Sequence, residues 1–339
     1  MYNNEMFIEQ FKNKIKEINP RKVFFVCSSE YDRYGYRSAL DEAGFESVVF
    51  TGFEPCPEIS SVKNGVELIR KEDCDFMVAV GGGSAIDTAK GIKYYLESDI
   101  EILAVPTTAG TGAEVTRFSV LYSNGDKESV NSFDIIPEYQ IFDHTTLASL
   151  PRFQRIVTSL DALCHSIEAL WSVSATDESR AYSIESIDLF NKYFKSYLDD
   201  DKSTYEPMMK CSELGGRAIN IARTTAPHAM SYKLHKLKGF AHGQAVAICL
   251  GYIWKYTKET FDSPEIASML EQTEKITGFT PDSFISFLND LGLCTDFEMT
   301  PAQFDETVNG VNVERMNNHN VRFNHEDINN IYSSFLKIV

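Results

Sequence analysis

The sequence predicts an α/β protein in two parts: an N-terminal doubly wound parallel sheet over residues 1–150 and an all-helical C-terminal domain over residues 151–339. Three observations predict it. Strand-like and helix-like segments alternate through the first half. The strand-like segments are short continuous apolar runs, such as Val23-Phe24-Phe25-Val26 and Phe76-Met77-Val78-Ala79-Val80, the pattern of strands buried on both faces. After Pro151 the strand patterning stops, and apolar residues recur only at helical spacing.

Taken in order, Met6, Phe7, Phe11, Ile15 and Ile18 share a helix face, and Val23 to Val26 form the first strand. Residues 34–43 read as a helix stopped by Gly44, and residues 47–50 as the second strand. Residues 59–70 are helical. The third strand, ending at Val80, runs straight into Gly81-Gly82-Gly83, with residues 84–96 helical behind it. A fourth strand, 102–105, ends at Pro106. Residues 118–122 and the segment after Asn124-Gly125 predict a hairpin, since Asn-Gly suits a two-residue turn. Helices are then expected at 156–171, 178–197, 207–221, 244–256, 265–276 and 281–291. Alternating strands and helices imply parallel pairing through right-handed crossovers. The cleft between the two parts is the expected ligand site.

Composition narrows the function classes. Apolar residues make up 43% of the 339 and charged residues 24%, enough for a sizeable core. The net charge of −17 opposes wrapping nucleic acid or lying on an anionic membrane, but leaves room for a small anionic substrate in a local basic pocket. The longest apolar run, 245–254, falls well short of the ~20 residues of a membrane helix. The first residues mix Glu5, Glu9, Lys12, Lys14 and Lys16 with apolar ones, unlike a signal peptide. Seven dispersed cysteines without a CxxC fit a reduced, cytoplasmic enzyme.

The turn Gly81-Gly82-Gly83-Ser84 stands at the carboxyl end of a buried strand and the start of a helix. Backbone can approach a ligand closely where Cβ atoms are absent, and the helix N-terminus favours an anion. A bare tight turn is the competing reading. The segment 106–116, with Thr107, Thr108 and Thr111, also follows a strand end, where doubly wound sheets bind ligands; a loop that merely caps the next helix is its alternative.

Asp161, His165 and Glu168 fall at i, i+4 and i+7, on one face of an otherwise apolar helix. A carboxylate and an imidazole one turn apart can grip a divalent ion; Asp161 as a helix N-cap and His165 as a core histidine is the bland reading. Farther on, His228 and His242 stand fourteen positions apart in a chain with only seven histidines. One carboxylate and three imidazoles suit Fe2+, Zn2+, Co2+ or Ni2+ alike. His235 is expected at the surface, and His144, His319 and His325 in loops.

Together these motifs resemble the iron-containing (group III) alcohol dehydrogenases: Gly81-Gly82-Gly83-Ser84-Ala85-Ile86-Asp87-Thr88-Ala89-Lys90, the 106–116 segment, Asp161-xxx-His165-xx-Glu168, the His228 to His242-Gly243 spacing, and Asn312-Val313-Glu314-Arg315-Met316. The resemblance spans nearly the whole chain. It implies the architecture shared with dehydroquinate synthase-like proteins, an α/β dinucleotide domain with a helical metal domain. It further implies Asp161, His165, His228 and His242 as ligands of Fe2+. The pyrophosphate of NAD(H) or NADP(H) would lie on Gly82, Gly83 and Ser84 with Asp87 nearby, Thr107, Thr108 and Thr111 would line the cofactor, and Lys127 would approach the nicotinamide ribose. A homo-oligomer, a dimer, is expected. Two positions depart from the family pattern. Tyr232 stands where many members carry a second histidine, and its hydroxyl could donate a proton instead. Ser28 stands where NAD-preferring members place an aspartate, so a 2′-phosphate is tolerated and NADP(H) is favoured.

The segment 216–234 resembles that of the phosphonoacetaldehyde reductases, which implies reduction of phosphonoacetaldehyde to 2-hydroxyethylphosphonate. Arg223, Thr224 and Thr225 would bring donors toward the metal pocket, and a guanidinium fork fits a phosphonate bidentately. Equally, Arg223 or Arg217 could point to solvent or pair with a structural carboxylate. The remaining alternatives are a dehydrogenase for an uncharged small alcohol, a dehydroquinate synthase-like lyase-cyclase, and a dinucleotide-sensing protein without chemistry.

Overall fold

A computed structural model describes residues 4–28, 32–123, 126–293 and 297–339. Two compact units emerge, one of Met1–Pro151 with Asp199–Met209, the other of Arg152–Leu198 with Lys210–Val339. In the first, the order is α1 (Glu5–Ile18), β1 (Lys22–Cys27), α2 (Tyr36–Glu42), β2 (Glu46–Phe50), α3 (Ile59–Glu72), β3 (Phe76–Gly81), α4 (Gly83–Leu96), β4 (Glu101–Pro106), β5 (Phe118–Ser123), β6 (Asp126–Asn131) and β7 (Tyr139–Gln140). Strands β2-β1-β3-β4-β7 form one sheet, every pairing in it parallel.

Alternate side chains of the central strands leave the sheet in opposite directions. Phe24, Val26, Met77, Ala79, Ile102 and Ala104 pack with Val62, Val66 and Ile69 of α3 and Ile86 and Ile92 of α4. Val23, Phe25, Val78, Val80, Leu103 and Val105 pack with Phe7, Phe11 and Ile15 of α1 and Tyr36 and Leu40 of α2. Both strand faces are covered, which is why these strands read as unbroken apolar runs rather than alternating ones. Each buried Val, Leu, Ile, Phe or Met side chain among them contributes about 1.5–3 kcal/mol by leaving water. Strands β5 and β6 pair antiparallel as the predicted hairpin, while its Asn124-Gly125 turn lies outside the described residues.

The second unit holds α5 (Arg152–Trp171), α6 (Asp177–Leu198), most of α7 (Tyr205–Ala222), α8 (Ala226–Lys238), α9 (His242–Thr260), α10 (Pro264–Thr277), α11 (Pro281–Asp290), β8 (Phe297–Met299), α12 (Pro301–Asn309), α13 (Val313–Met316), α14 (His325–Ser333) and β9 (Leu336–Ile338). It is helical apart from β8 and β9, which pair in parallel. The expectation of a purely helical domain is corrected on that point; strands of three residues are too short to display a period of two. Helix α5 is the central element, buried at nearly every position from Arg155 to Trp171 and packed on α6 and α9. No helix among the described residues is long and apolar enough to cross a membrane. Cys27, Cys74, Cys164, Cys211 and Cys249 are free thiols, and Cys294 lies outside the described residues.

Candidate functional site

In the first unit, β1 and β3 are neighbours, yet the chain leaves β1 toward β2 on one side and β3 toward β4 on the other. Their carboxyl ends therefore mark the switch point where such a sheet opens a crevice. Ser28 follows β1 and is exposed. Gly81 closes β3, Gly82 is the extended N-cap of α4, and the first N–H groups of α4 have no acceptor within the helix. The 106–116 loop lies directly on this turn. The Thr107 N–H donates to the Gly81 carbonyl at 3.0 Å. A Cβ on Gly82 would stand 3.1 Å from Thr108 Cγ2, and one on Gly83 2.9 Å from Thr111 Cγ2. The glycines permit the two loops to touch.

Two turns into α4, the wholly buried Lys90 donates from Nζ to the Ala113 carbonyl at 2.8 Å and to Thr116 Oγ1 at 3.2 Å. Its Nζ lies 3.8 Å from Asp87 Oδ1. Burial pushes the Asp87 carboxyl up to about 6 and the Lys90 ammonium down to about 8, each shift opposed by the other group's charge. Lys127 on β6 adds a second positive charge to the surroundings of Asp87. Gly82, Gly83, Ser84, Asp87, Thr107, Thr108, Thr111 and Lys127 are thus brought around the N-terminal half of α4, with Ser28 at the end of the adjacent strand.

In the second unit, three imidazoles converge on one carboxylate oxygen. Asp161 Oδ1 lies 3.8 Å from His165 Nε2, 3.5 Å from His228 Nε2 and 3.6 Å from His242 Nε2. Asp161, His228 and His242 present ligand atoms within 4.8 Å of one another, and the His165 ring stacks on His228 at 4.8 Å between centroids. Asp161 sits inside α5 rather than at its start, so it is not an N-cap. Its Oδ1 and the Nε2 of His228 are buried without a hydrogen-bond partner. Buried lone pairs left unmatched are costly, and here they point to one place. That donor set, a carboxylate with imidazole nitrogens, fits a divalent cation.

Glu168 holds this arrangement from behind. Its Oε2 accepts the Thr225 N–H at 2.6 Å and the Thr225 hydroxyl at 3.0 Å, while Oε1 contacts His228 Nδ1. A proton shared on Nδ1 leaves the Nε2 lone pair for an ion, the usual carboxylate support of a metal-binding histidine. Burial alone would lower the His228 pKa, but the carboxylates of Glu168 and Asp161 raise it to about 9. Burial would also raise Asp161, yet the surrounding imidazoles, His165 and His242 foremost, hold it well below the usual carboxylate range. Helix α9 approaches α5 so closely at Gly243 that a Cβ there would stand 1.9 Å from the Val157 carbonyl oxygen. This contact brings His242, the first residue of α9, to Asp161.

Tyr232, one turn after His228 on α8, lies with its ring parallel to that of His242, 6.5 Å between centroids at 3°. Burial pushes its phenol up to about 12. The Arg315 guanidinium lies over the same ring, 5.5 Å from its centroid. Thr225 is buried and its hydroxyl is committed to Glu168. Arg223 is exposed, in a left-handed conformation at φ 64°, and Arg217 donates to Glu213 at 2.7 Å. His235, expected at the surface, is half-buried with Nδ1 on the Phe240 carbonyl. His319 lies in an irregular segment but is buried against Trp171 and Phe323, and burial lowers it to about 4. Sequence reasoning assigned no role to Glu168, Gly243 or Arg315. The i+7 spacing, the His-Gly pair and the Asn312 to Met316 motif were the available signals.

The family model described as iron-containing alcohol dehydrogenase matches residues 2–144, and the C-terminal model of the Fe-containing alcohol dehydrogenase family matches residues 155–336. The NADPH-dependent butanol dehydrogenase of Clostridium saccharobutylicum is 30% identical over 318 residues, 86% of this chain and 80% of that one. Alcohol dehydrogenase 4 of Schizosaccharomyces pombe is 31% identical over 246 residues, and the match spans 67% of this chain but only 58% of that longer relative. Among solved structures, the sulfoacetaldehyde reductase from Bifidobacterium kashiwanohense in complex with NAD+ superposes with a TM-score of 0.87 at 25% identity, covering 98% of this chain and 95% of that one.

Proposed function

The chain belongs to the iron-containing alcohol dehydrogenase family, and from that premise we propose that it is a metal-dependent, NAD(P)H-linked aldehyde reductase acting on a small anionic aldehyde. Phosphonoacetaldehyde, reduced to 2-hydroxyethylphosphonate, is the substrate we assign. The observation that carries the reading is the meeting of three imidazole nitrogens, from α5, α8 and α9, at one oxygen of Asp161.

Asp161, His165, His228 and His242 are the residues that would hold Fe2+, with Zn2+, Co2+ or Ni2+ compatible with the same donors. A divalent cation supplies Lewis-acid polarisation of a carbonyl oxygen, and a nicotinamide supplies the hydride. Glu168 and Thr225 keep His228 oriented. Tyr232 keeps the proton on Oη at neutral pH, its pKa raised by burial, and we assign it as proton donor to the carbonyl oxygen that becomes the product hydroxyl. Gly82, Gly83 and Ser84 offer backbone N–H groups to a pyrophosphate, with Asp87, Thr107, Thr108, Thr111 and Lys127 around it. The first position after β1 is Ser28 rather than a carboxylate, which supports NADP(H) over NAD(H).

An anionic substrate is supported by the likeness to a sulfoacetaldehyde reductase, whose named substrate carries a sulfonate. Arg223, the cation the sequence offers for such a group, is exposed on the turn that leads to His228. The likeness to a butanol dehydrogenase favours the second reading, a neutral aldehyde or alcohol. We also propose a homodimer in the cytoplasm, in keeping with the free cysteines. Steady-state oxidation of NADPH and NADH with phosphonoacetaldehyde against propanal separates the readings. The proposal expects kcat/KM at least about tenfold higher for the phosphonate, as a charge-assisted contact would give. Equal values would leave the neutral-substrate reading in its place.

A further inference from the structure

We propose that Arg315 is the specificity-determining residue, the cation that reads the anionic end of the substrate beside the metal ligands; this rests on the anionic-aldehyde reading above. Arg315 belongs to α13, which packs against α8, the helix that carries both His228 and Tyr232. Its guanidinium stands 5.5 Å from the Tyr232 ring centroid, and that ring lies parallel to His242 at 6.5 Å. A positive charge, an aromatic surface and a candidate ligand imidazole therefore follow one another at successive separations of 5.5 and 6.5 Å.

The neighbouring cations are otherwise engaged or turned away. Arg217 pairs with Glu213, and Arg322 donates to the Asn317 carbonyl at 2.6 Å and to its side-chain oxygen at 2.8 Å. Arg223 is exposed. Arg315, by contrast, is half-buried and has no carboxylate within ion-pair distance among the described residues, in a chain with 49 acidic groups. Surface arginines so placed would ordinarily gather an acidic partner, and partial burial of an unmatched charge is unfavourable. The guanidinium also interacts with the Tyr232 hydroxyl, and the N–H groups not so engaged can offer a planar grip to phosphonate or sulfonate oxygens. The backbone at Arg315 is also fixed in advance. The Asn312 side chain caps α13, accepting the N–H groups of Glu314 at 3.0 Å and Arg315 at 3.3 Å. With the Thr225 hydroxyl committed to Glu168, Arg315 takes the role that the sequence alone placed on Arg223 and Thr225.

The test uses the iron-loaded full chain and its R315A, R315K and R223A variants, with phosphonoacetaldehyde, sulfoacetaldehyde and propanal. The quantity read is the ratio of kcat/KM for each anionic aldehyde to that for propanal. R315A is expected to lower this ratio by about 10- to 100-fold, R315K by several-fold because the fork is lost while the charge stays, and R223A by less than threefold. Protection against thermal unfolding by 2-hydroxyethylphosphonate, present in the parent, is expected to vanish in R315A. Metal content and circular dichroism establish that each variant is folded; should R315A fail that check, R315K decides. A ratio unchanged in R315A and R315K, or kcat/KM falling equally for all three aldehydes, would mean that Arg315 only props Tyr232. A ratio that collapses in R223A instead would move the role there. If the parent itself shows no preference for anionic aldehydes, the substrate reading fails, and the assignment of Arg315 fails with it.

Discussion

Glu168 never needs to touch an ion to matter to one. Its carboxylate accepts from Thr225 and meets Nδ1 of His228, so the imidazole presents a lone pair at Nε2 toward Asp161. In Glu168→Gln the amide oxygen can still accept from Thr225, but the amide nitrogen cannot accept a proton from Nδ1. Fe2+ or Zn2+ affinity is expected to drop about 10- to 100-fold, read by competition with a chelator. Parental affinity in that variant would show that His228 does not depend on Glu168. The face shared by Asp161, His165 and Glu168 was legible from spacing alone. The division of labour on that face was not, because it is decided by a histidine 60 positions further along the chain. Local sequence likewise offered Thr225 a place at the substrate, whereas its position against α5 gives its hydroxyl to Glu168.

At the scale of elements, the centre depends on how near α9 can come to α5. Gly243 marks the contact, and a methyl there would meet the Val157 carbonyl oxygen at 1.9 Å, backbone against backbone, with no side chain free to yield. Gly243→Ala must therefore push the start of α9 outward and take His242 away from Asp161. Overpacking of this kind costs about 1–3 kcal/mol, which corresponds to a melting temperature lower by roughly 2–10 °C. Bound metal is expected to fall with it; a G243A protein with parental melting and full metal content would contradict this. The long helices and the buried strands were readable because their apolar periods run for many residues. Helix α8 was not predicted as an element: its first residues are Ala226-Pro227-His228, and several of its inward positions are Ser, Tyr and His rather than aliphatic. Strands β8 and β9 escaped for the opposite reason, being three residues each.

For the whole molecule, the sequence pattern foretold a parallel sheet covered on both faces in the first unit and a helical second unit, and those features follow from where apolar side chains must go. What composition could not tell is how a chain of net charge −17 would accommodate the anionic substrate proposed above. The mean field opposes it, so on that proposal selection is local and falls to the Arg315 guanidinium. Everything chemical then depends on Asp161, His165, His228 and His242 acting as a single binding site. The most direct test is the metal content of the parent and of Asp161→Asn after anaerobic loading with Fe2+ and removal of excess, with NADPH binding followed by fluorescence. The account predicts one equivalent of iron per parent chain, less than about a tenth of that in D161N, and NADPH binding retained in both. A D161N protein that holds a full equivalent with parental affinity would show that the ion, if there is one, sits elsewhere.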